Sequence, residues 1–295
     1  MKSFLLFFLI LANYQGYCQY VNDTVNTSVC KEADSVYHKP KPFSFLTDIP
    51  RDVAGFTSRS FNKKNLISLG IITVSTIGLI IIDPQVNHFI QNFSEHNNIE
   101  SREDYSPLIR LKITGRETNI GKWPRNLNTA FYNIGQGSTV VLIAGGFFLK
   151  GKIKNDNRAL QTSYQLLNSF IALGAGTQFI KYGSGRENPS DATSSRGVWR
   201  PFPSLNDFQN NKTKYDAFPS GHLATLIAAV TILSENYPEK KRIKSIGYAI
   251  AGLCGVAMIN NGVHWISDYP LGIALGYGYG KFISKKRKHS QKLFE

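Results

Sequence analysis

Six apolar segments alternate with polar connections along the chain, and their lengths are typical of helices. The first of them, 65–82, contains no charged residue and has about the length of a short membrane span. Gly and Ala are frequent in these segments, which permits close packing between helices. The pattern predicts an all-α fold, a bundle of about six helices, several of them apolar enough to span a membrane. The other five predicted helices are 131–149, 159–180, 220–233, 245–258 and 271–283.

The connections between these helices differ in length and charge. Two are long and polar, 84–128 and 182–218, and long irregular segments within a compact domain often carry function. If the last five helices run up and down, the short basic stretches fall together at one end of the bundle, the basic end. The long connections then fall at the other end, which we call the motif end. The basic stretches are 150–158, 239–244 and 285–292.

The N-terminus has the pattern of an export signal. Lys2 is followed by an apolar stretch, 4–12, too short to span a bilayer, and by the small residues Gly16 and Cys18. A lipoprotein anchor on Cys18 is an open but weaker alternative, because Tyr17 is bulky for such a site. The predicted organisation is a signal peptide, an extended N-terminal arm, a helical domain and a basic C-terminal tail. Their respective ranges are 1–18, 19–60, 61–284 and 285–295.

Charge and cysteine content narrow the classes of partner. The formal net charge of +14 in 295 residues suits a partner that bears phosphate. Nucleic acid is not the expected partner, because no nucleic-acid-binding motif is present. Beyond the predicted signal peptide only Cys30 and Cys254 remain, so no cysteine-based metal site can form. Cys254 lies in an apolar helix and is expected to be a buried free thiol, while the pairing of Cys30 stays open.

Three groups of residues at the motif end could carry chemistry. Lys181 and Arg186 lie on the Gly-rich turn KYGSGRENP, suited to contacting anionic oxygens. Ser220 is a good N-cap, and the free N–H groups of a first helical turn, starting at Gly221, bind anions. His222 would lie in that same first turn.

The third group is the pair His264 and Asp268, four residues apart and therefore on one face if the segment is helical. A carboxylate that holds one imidazole nitrogen frees the other. A histidine held in this way can attack phosphorus, and a second histidine can protonate the leaving group. No cluster of carboxylates of the metal-site type is present in the sequence, so neither a metal nor a cofactor is expected.

The order of these groups resembles the type-2 phosphatidic acid phosphatase superfamily, which includes lipid phosphatases, bacterial non-specific acid phosphatases and vanadium haloperoxidases. Its pattern is Lys, six residues, Arg-Pro; then Pro-Ser-Gly-His; then Ser-Arg, five residues, His, three residues, Asp. Here Lys181 and Pro189 match the first motif, 219–222 the second, and His264 and Asp268 the end of the third. The resemblance covers about residues 130–284.

The resemblance implies a role for each matching residue. His264 is the nucleophile that forms a phosphohistidine, Asp268 orients it, and His222 is the general acid. The phosphoryl oxygens are then bound by Lys181, Ser220 and Gly221.

Two arginines of the family pattern are missing. Asn188 stands in the first motif where the family has Arg, and Ala257 and Met258 stand in the third where it has Ser-Arg. Loss of an arginine that stabilises a phosphoryl-transfer transition state can lower the rate strongly. The candidate replacements are Arg186, Asn188, Arg200, Asn260, Asn261 and an arginine from 102–125.

The expected function is a metal-independent phosphatase that hydrolyses phosphate monoesters or pyrophosphates. Lipid substrates such as phosphatidic acid, phosphatidylglycerol phosphate or undecaprenyl pyrophosphate are the first expectation. A soluble-type periplasmic non-specific acid phosphatase, acting on small phosphate esters, is the alternative. A haloperoxidase is a weaker one, because that chemistry needs a rich arginine cage. A phospholipid-binding membrane protein with little catalytic activity is the alternative from another class.

Short basic loops mark the cytoplasmic side of a membrane protein, which would place the motif end in the periplasm. The protein is therefore expected to be exported and to be associated with the inner membrane. The alternative is a soluble protein of the periplasm. One conflict stays open at this point. If residues 1–18 are removed after export and 65–82 spans the membrane, the number of crossings places the motifs on the cytoplasmic side instead.

Overall fold

Helices make up most of the chain in the computed structural model, which describes residues 37–113 and 116–289. The predicted signal peptide and residues 19–36 of the arm lie outside the described residues. The fold class is confirmed as a helical bundle, with one antiparallel hairpin of strands β1 (Tyr105–Ile113) and β2 (Arg116–Pro124). The helices are α1 (Ser44–Thr47), α2 (Ile49–Ser60), α3 (Leu66–His96), α4 (Leu127–Gly135), α5 (Gly137–Ile153), α6 (Asn157–Ser184), α7 (Leu205–Asn210), α8 (Gly221–Asn236), α9 (Arg242–Asn260) and α10 (Tyr269–His289).

All six predicted helices are present, and two of them differ from expectation. The segment 65–82 continues through Pro84 to His96 as α3, so the long connection 84–128 is shorter than expected and contains the hairpin. The predicted helix 131–149 is divided into α4 and α5 at Gln136, whose backbone is extended (φ −69°, ψ 145°). Glycines flank Gln136 on both sides, and glycine favours helix weakly.

The N-terminal arm is not extended throughout. Residues 44–47 and 49–60 are helical, because apolar residues recur on one face of α2 and can pack against the bundle. The Phe56 ring lies 5.3 Å from the Tyr279 ring and 6.1 Å from the Phe282 ring. The Asn168 amide donates a hydrogen bond to the buried Asp52 carboxylate (3.3 Å). The arm therefore docks along α6 and α10.

The basic end exists, and the arm lies there too. Helices α5, α8 and α10 end at it, and α6 and α9 begin at it. The Arg158 guanidinium, at the start of α6, donates to the Glu239 carboxylate (2.7 Å) and to the carbonyl of Asn236. The Tyr37 hydroxyl donates to the same carbonyl (3.4 Å). The start of the described chain and the start of α3 therefore lie opposite the motif end.

Among the described residues, two helices are long and apolar enough to cross a membrane, within Lys63–His96 and Arg242–Asn260. Helix α3 is the clearer case, because only 6% of its most apolar window is buried. Ile67 and Val74 on this helix expose 75% and 71% of their surface. A continuous exposed apolar face of this kind needs lipid or another protein to cover it.

A row of glycines on α10 determines how closely α8 can approach. Side chains at Gly272, Gly276 and Gly280 would meet the backbone carbonyl oxygens of α8, one turn apart. Small residues at such positions let two helix backbones come together. The start of α8 is thereby held against the start of α10, where the motif residues lie. The α8 carbonyl groups concerned are those of Ser220, at its N-cap, Ala224 and Ala228.

Candidate active site

His264 and Asp268 lie in the connection between α9 and α10, not on one face of an α-helix. Asp268 ends a short 3-10 turn, Ile266–Asp268, and both side chains are buried. The Nδ1 atom of His264 is 3.4 Å from Oδ2 of Asp268, which also accepts a hydrogen bond from the Trp265 N–H (2.8 Å). Neither ring nitrogen of His264 makes a hydrogen bond in the described part of the chain, and Nδ1 is the one that lies beside the Asp268 carboxylate. The carboxylate thus faces one ring nitrogen and leaves the other for a ligand.

His222 faces His264 from the first turn of α8. The two ring centroids are 5.9 Å apart, and the rings are inclined at 74°. On its other side His222 is 5.2 Å from the Tyr132 ring of α4. Two imidazoles from motifs 42 positions apart in the sequence, counted from 222 to 264, therefore meet at the motif end.

Ser220 caps α8 and connects it to the His264 region. Its hydroxyl accepts a hydrogen bond from the Leu223 N–H (3.4 Å), as expected of an N-cap. Its own N–H donates to the Asp268 carbonyl (3.0 Å). The N-terminal end of α8, starting at Gly221, carries the partial positive charge of a helix dipole beside both histidines. This arrangement favours an anion at the first turn.

Lys181 supplies a buried cation at the end of α6. Its Nζ atom lies 3.7 Å from Oδ2 of Asp216, and the Lys181 side chain is only 7% exposed. Asp216 was not expected from the sequence, since it lies in the irregular connection before α8. A buried ammonium with one partner at this distance keeps further capacity to donate hydrogen bonds.

Arg186 is directed towards buried protein groups and not towards an anion site as expected. Gly185 ends α6 with a positive φ of 55°, and the chain reverses so that Arg186 is fully buried. Its Nη1 donates to the Ser267 hydroxyl (2.7 Å) and to Oδ1 of Asp268, and its Nη2 donates to Asp83 (2.7 Å). Its terminal donors are therefore committed to protein groups. Arg186 supports Asp268 and is not free to replace a missing phosphate-binding arginine.

The side chains of Arg200, Asn260 and Asn261, three other proposed replacements, each have a protein partner. The Arg200 guanidinium donates to the Glu187 carboxylate and to the Thr193 hydroxyl (3.3 Å). The Asn260 amide donates to the Glu100 carbonyl (3.3 Å). The Oδ1 atom of Asn261 accepts a hydrogen bond from Asn128, while its buried Nδ2 has no partner among the described residues. Asn188 is buried, and its backbone N–H donates to the Thr213 carbonyl (2.8 Å).

Glu187 stabilises the connection after α6. Burial alone would raise the pKa of its carboxyl group. The N–H groups of Thr193 and Val198, together with the side chains of Arg200 and Thr193, instead hold this pKa at about 2. The carboxylate thus organises residues 187–200 around one buried charge. The backbone carbonyl of Glu187 also accepts a hydrogen bond from the indole N–H of Trp265 (2.8 Å), the residue next to His264.

Sequence reasoning missed Asp83, Asp216, Glu187 and Ser267 in this region. Asp83 had a signal that could have been used. It is a carboxylate directly after the uncharged segment 65–82, and an ionised group in apolar surroundings needs a partner. Among the described residues, no group of three or more His, Cys, Asp or Glu side chains is arranged to hold a metal ion.

The geometry defines a class of site: a helical bundle in which two histidines, an aspartate, a lysine and a helix N-terminus converge at one end. Comparison with known proteins gives a match to part of the chain. Residues 163–291 match the model described as the PAP2 superfamily, which confirms the predicted resemblance to it.

One curated protein and one solved structure are similar to parts of the chain. A lipid A 1-phosphatase from Porphyromonas gingivalis is 36% identical over 70 residues, which are 23% of this chain and 16% of the relative's length. A solved structure is described as the first transmembrane PAP2-type phosphatidylglycerolphosphate phosphatase from Bacillus subtilis. It covers 86% of this chain and 98% of its own, with 16% identity and a TM-score of 0.36.

Proposed function

We propose that the protein hydrolyses phosphate monoesters or pyrophosphates of membrane lipids through a phosphohistidine on His264. The observation that carries the proposal is the 5.9 Å separation of the His222 and His264 rings, with Asp268 beside His264. Two imidazoles at this separation can contact opposite sides of one phosphoryl group. The arrangement suits a nucleophile and a general acid that act on the same phosphorus atom.

In the first step, Nε2 of His264 attacks phosphorus and forms a P–N bond. The P–O bond to the leaving group breaks, and its electron pair stays on the leaving oxygen. That oxygen receives a proton from His222. Asp268, 3.4 Å from Nδ1, stabilises the positive charge that develops on the His264 ring.

In the second step, water attacks the phosphohistidine and gives a proton to His222. The P–N bond breaks, its electron pair returns to Nε2 of His264, and inorganic phosphate leaves. Both histidines are then in their starting protonation states. Across both steps the phosphoryl oxygens are bound by Lys181 and by the first-turn N–H groups after Ser220.

Lipid substrates are favoured by the surface of the protein. The exposed apolar face of α3 suits acyl chains around the bundle, and the curated relative is named for a phosphatase of lipid A. Candidate substrates are phosphatidic acid, phosphatidylglycerol phosphate, undecaprenyl pyrophosphate and a phosphorylated lipid A. Their shared chemistry is a phosphate group attached to an apolar anchor at a membrane surface.

We also propose that the motif end faces the periplasm from the inner membrane. The arm and the start of α3 lie at the basic end, and Arg51, Arg59, Lys63 and Lys64 add to its positive charge. The positive-inside rule places that end in the cytoplasm. Residues 37–60 are then cytoplasmic, which is incompatible with removal of 1–18 after export. The N-terminal apolar stretch would therefore not be a cleaved signal peptide.

The proposal is tested by phosphate release from the four candidate lipids and from a soluble ester, para-nitrophenyl phosphate, in detergent micelles. The matched variants are His264→Ala and His88→Ala, the latter replacing an imidazole on α3 that contacts Asn92 (3.1 Å). We expect release from at least one lipid, loss of at least about 10³-fold for His264→Ala, and near-normal rates for His88→Ala.

Three other outcomes would change the conclusion. Equal turnover of the soluble ester would favour a non-specific phosphatase. Binding of phosphorylated lipid without turnover would favour a non-catalytic lipid-binding protein. Full activity of His264→Ala would show that the nucleophile has been assigned wrongly.

A further inference from the structure

A buried row of three charges lies behind His264. Oδ1 of Asp268 accepts a hydrogen bond from Arg186, whose other amino group donates to Oδ2 of Asp83 on α3 (2.7 Å). All three side chains have 0% exposure. We propose that Asp83 and Arg186 are positioning residues that set both the orientation of Asp268 and the net charge beside His264. This inference rests on the proposed function of His264.

The guanidinium of Arg186 is held in one place. Its central carbon lies 4.9 Å from the ring centroid of Trp199 and 5.4 Å from that of Trp265. Contacts of this kind favour the cation and keep water away from it. A charge network shielded from water interacts more strongly than one on the surface. Arg186 is therefore fixed by packing as well as by hydrogen bonds.

Asp83 also holds the backbone of the turn that carries Asp268. Its Oδ1 accepts the Ser267 N–H (3.0 Å), and its Oδ2 accepts the Ser267 hydroxyl (2.6 Å). Ser267 directly precedes Asp268 and also accepts a hydrogen bond from Arg186. The Asp83 carboxylate thus holds Asp268 in position through the backbone of Ser267. Through Arg186 it also affects the net charge around Asp268. Asp83 lies outside the segment that matches the PAP2 superfamily.

The charges determine how Asp268 can act. With both aspartates ionised and Arg186 protonated, the row carries a net charge of −1, which stabilises positive charge on His264 during attack. Without the charge of Asp83, Arg186 would neutralise Asp268 alone, and the row would carry no net charge. His264 would then lose most of the electrostatic support for the phosphohistidine. Asp83 keeps Asp268 effectively negative in spite of its arginine partner.

Other titratable groups surround His264 and its neighbours His222 and Asp268. They come from five packed elements and are the same in every variant at Asp83 and Arg186. They are His222 on α8, Tyr269 on α10, Lys181 on α6, Tyr132 on α4 and Asp216 in the connection before α8. Differences between variants at Asp83 and Arg186 therefore report the buried row, because this background is common to all of them.

The test compares the single variant Asp83→Asn with the double variant Asp83→Asn/Arg186→Gln. The single variant leaves the row neutral, and the double variant restores a net charge of −1 on Asp268. The matched control is Glu187→Gln, because Glu187 is another buried carboxylate that is paired with an arginine, Arg200, in the connection after α6. The measurements are kcat, KM and the pH dependence of kcat/KM on the best lipid substrate, with thermal unfolding as the check of folding.

We expect Asp83→Asn to lower kcat about tenfold with little change in KM, because the developing imidazolium loses support. Its acidic limb of kcat/KM should move to lower pH by about half a unit to one unit, since protonated His264 is less favoured. The double variant should return the limb to within roughly 0.3 unit of the original position. Glu187→Gln should lower thermal stability and leave the limb in place.

A merely structural role would give a different pattern. The single and double variants would then lose activity together, with the acidic limb unmoved, and this result would overturn the proposal. If Asp83→Asn does not accumulate as folded protein, the double variant alone decides, because an acidic displacement of its limb contradicts the charge assignment. His264→Ala is measured in parallel. Its full activity would refute the proposed function, whereas an inactive His264→Ala with unmoved limbs would refute only the role of Asp83 and Arg186.

Discussion

The sulfur of Met258 lies 3.8 Å from the hydroxyl oxygen of Ser220, and both residues are completely buried. In the PAP2 pattern the position of Met258 holds an arginine. The first turn of α8 therefore meets a thioether where the family pattern would place a guanidinium. Lys181 remains as the buried cation near this turn, and an arginine here would add a planar donor suited to phosphate oxygens.

The first prediction concerns this position. Met258→Arg should make inorganic phosphate a tighter competitive inhibitor, by at least about fivefold, because a guanidinium can donate two hydrogen bonds to one oxyanion. The substitution should also lower the free energy of unfolding by roughly 1–3 kcal/mol, since the side chain enters a packed core. Met258→Gln is the uncharged control of similar length. Equal inhibition constants for folded Arg and Gln variants would contradict the prediction.

The second prediction separates the structural from the catalytic role of Ser220. Its hydroxyl caps α8, and the Ser204 hydroxyl caps α7 in the same way by accepting the Asp207 N–H (3.1 Å). Each Ser→Ala change should cost about 1 kcal/mol of stability at most. Only Ser220→Ala should also lower kcat/KM, by roughly 10- to 100-fold, because its hydroxyl lies at the proposed phosphate site. Steady-state kinetics and thermal unfolding of both variants measure this, and equal kinetic losses would refute it.

The third prediction is a pH dependence of stability that originates at Glu187. The folded protein holds the pKa of this carboxyl at about 2, below its ordinary value of about 4.5. A lowered pKa stabilises the fold fully above the pKa of the unfolded chain, and this contribution is lost as pH falls towards the folded value. Glu187→Gln should therefore be less stable by roughly 2–3 kcal/mol at pH 7.

Thermal unfolding between pH 7 and pH 2 measures this difference. It should shrink as pH falls from about 4.5 to 2. Asp191→Asn, at an exposed position in the same connection, is the control and should show no such convergence. A constant difference between Glu187→Gln and the original protein across this range would contradict the assignment.

The fourth prediction concerns orientation in the membrane. Ser58 is exposed on α2 at the basic end, and Ser195 is exposed in the connection after α6 at the motif end. In a background with Cys18→Ser and Cys30→Ser, a membrane-impermeant maleimide should label Ser195→Cys in spheroplasts and leave Ser58→Cys unlabelled until the cells are lysed. Cys254 is buried and free, as expected from the sequence. The reverse pattern would place the motif end in the cytoplasm.

The sequence was sufficient to predict the fold class and the resemblance to the PAP2 superfamily. Uncharged segments of helical length predicted the bundle, and the order of Lys181, Pro219 to His222, His264 and Asp268 predicted the superfamily. The catalytic roles of these residues stay a prediction, although the structure brings them together. The hairpin was missed, because its polar content hid the alternation of Ile109, Leu111 and Ile113 that is typical of a strand.

The role of Arg186 could not be found from local pattern. Its partner Asp83 is 103 positions away in the sequence, on a helix outside the matched family segment. A basic residue on a Gly-rich turn near a phosphate motif suggests an anion contact. Whether the donors of Arg186 are free depends on tertiary packing, which cannot be deduced from the spacing of residues along the sequence. The same limitation applies to Arg200, whose partner Glu187 lies nearer but is enclosed only by the folded connection.

The row of glycines on α10 keeps α8 close, so the site allows little displacement of α8. A side chain at Gly276 would push α8 outward at Ala224, two positions beyond His222. The hydrogen bond between the Ser220 N–H and the Asp268 carbonyl would be stretched by the same displacement. The separation of the two imidazole rings therefore depends on the lack of side chains at these glycines of α10. Glycines that do not contact the substrate can therefore affect the rate of hydrolysis.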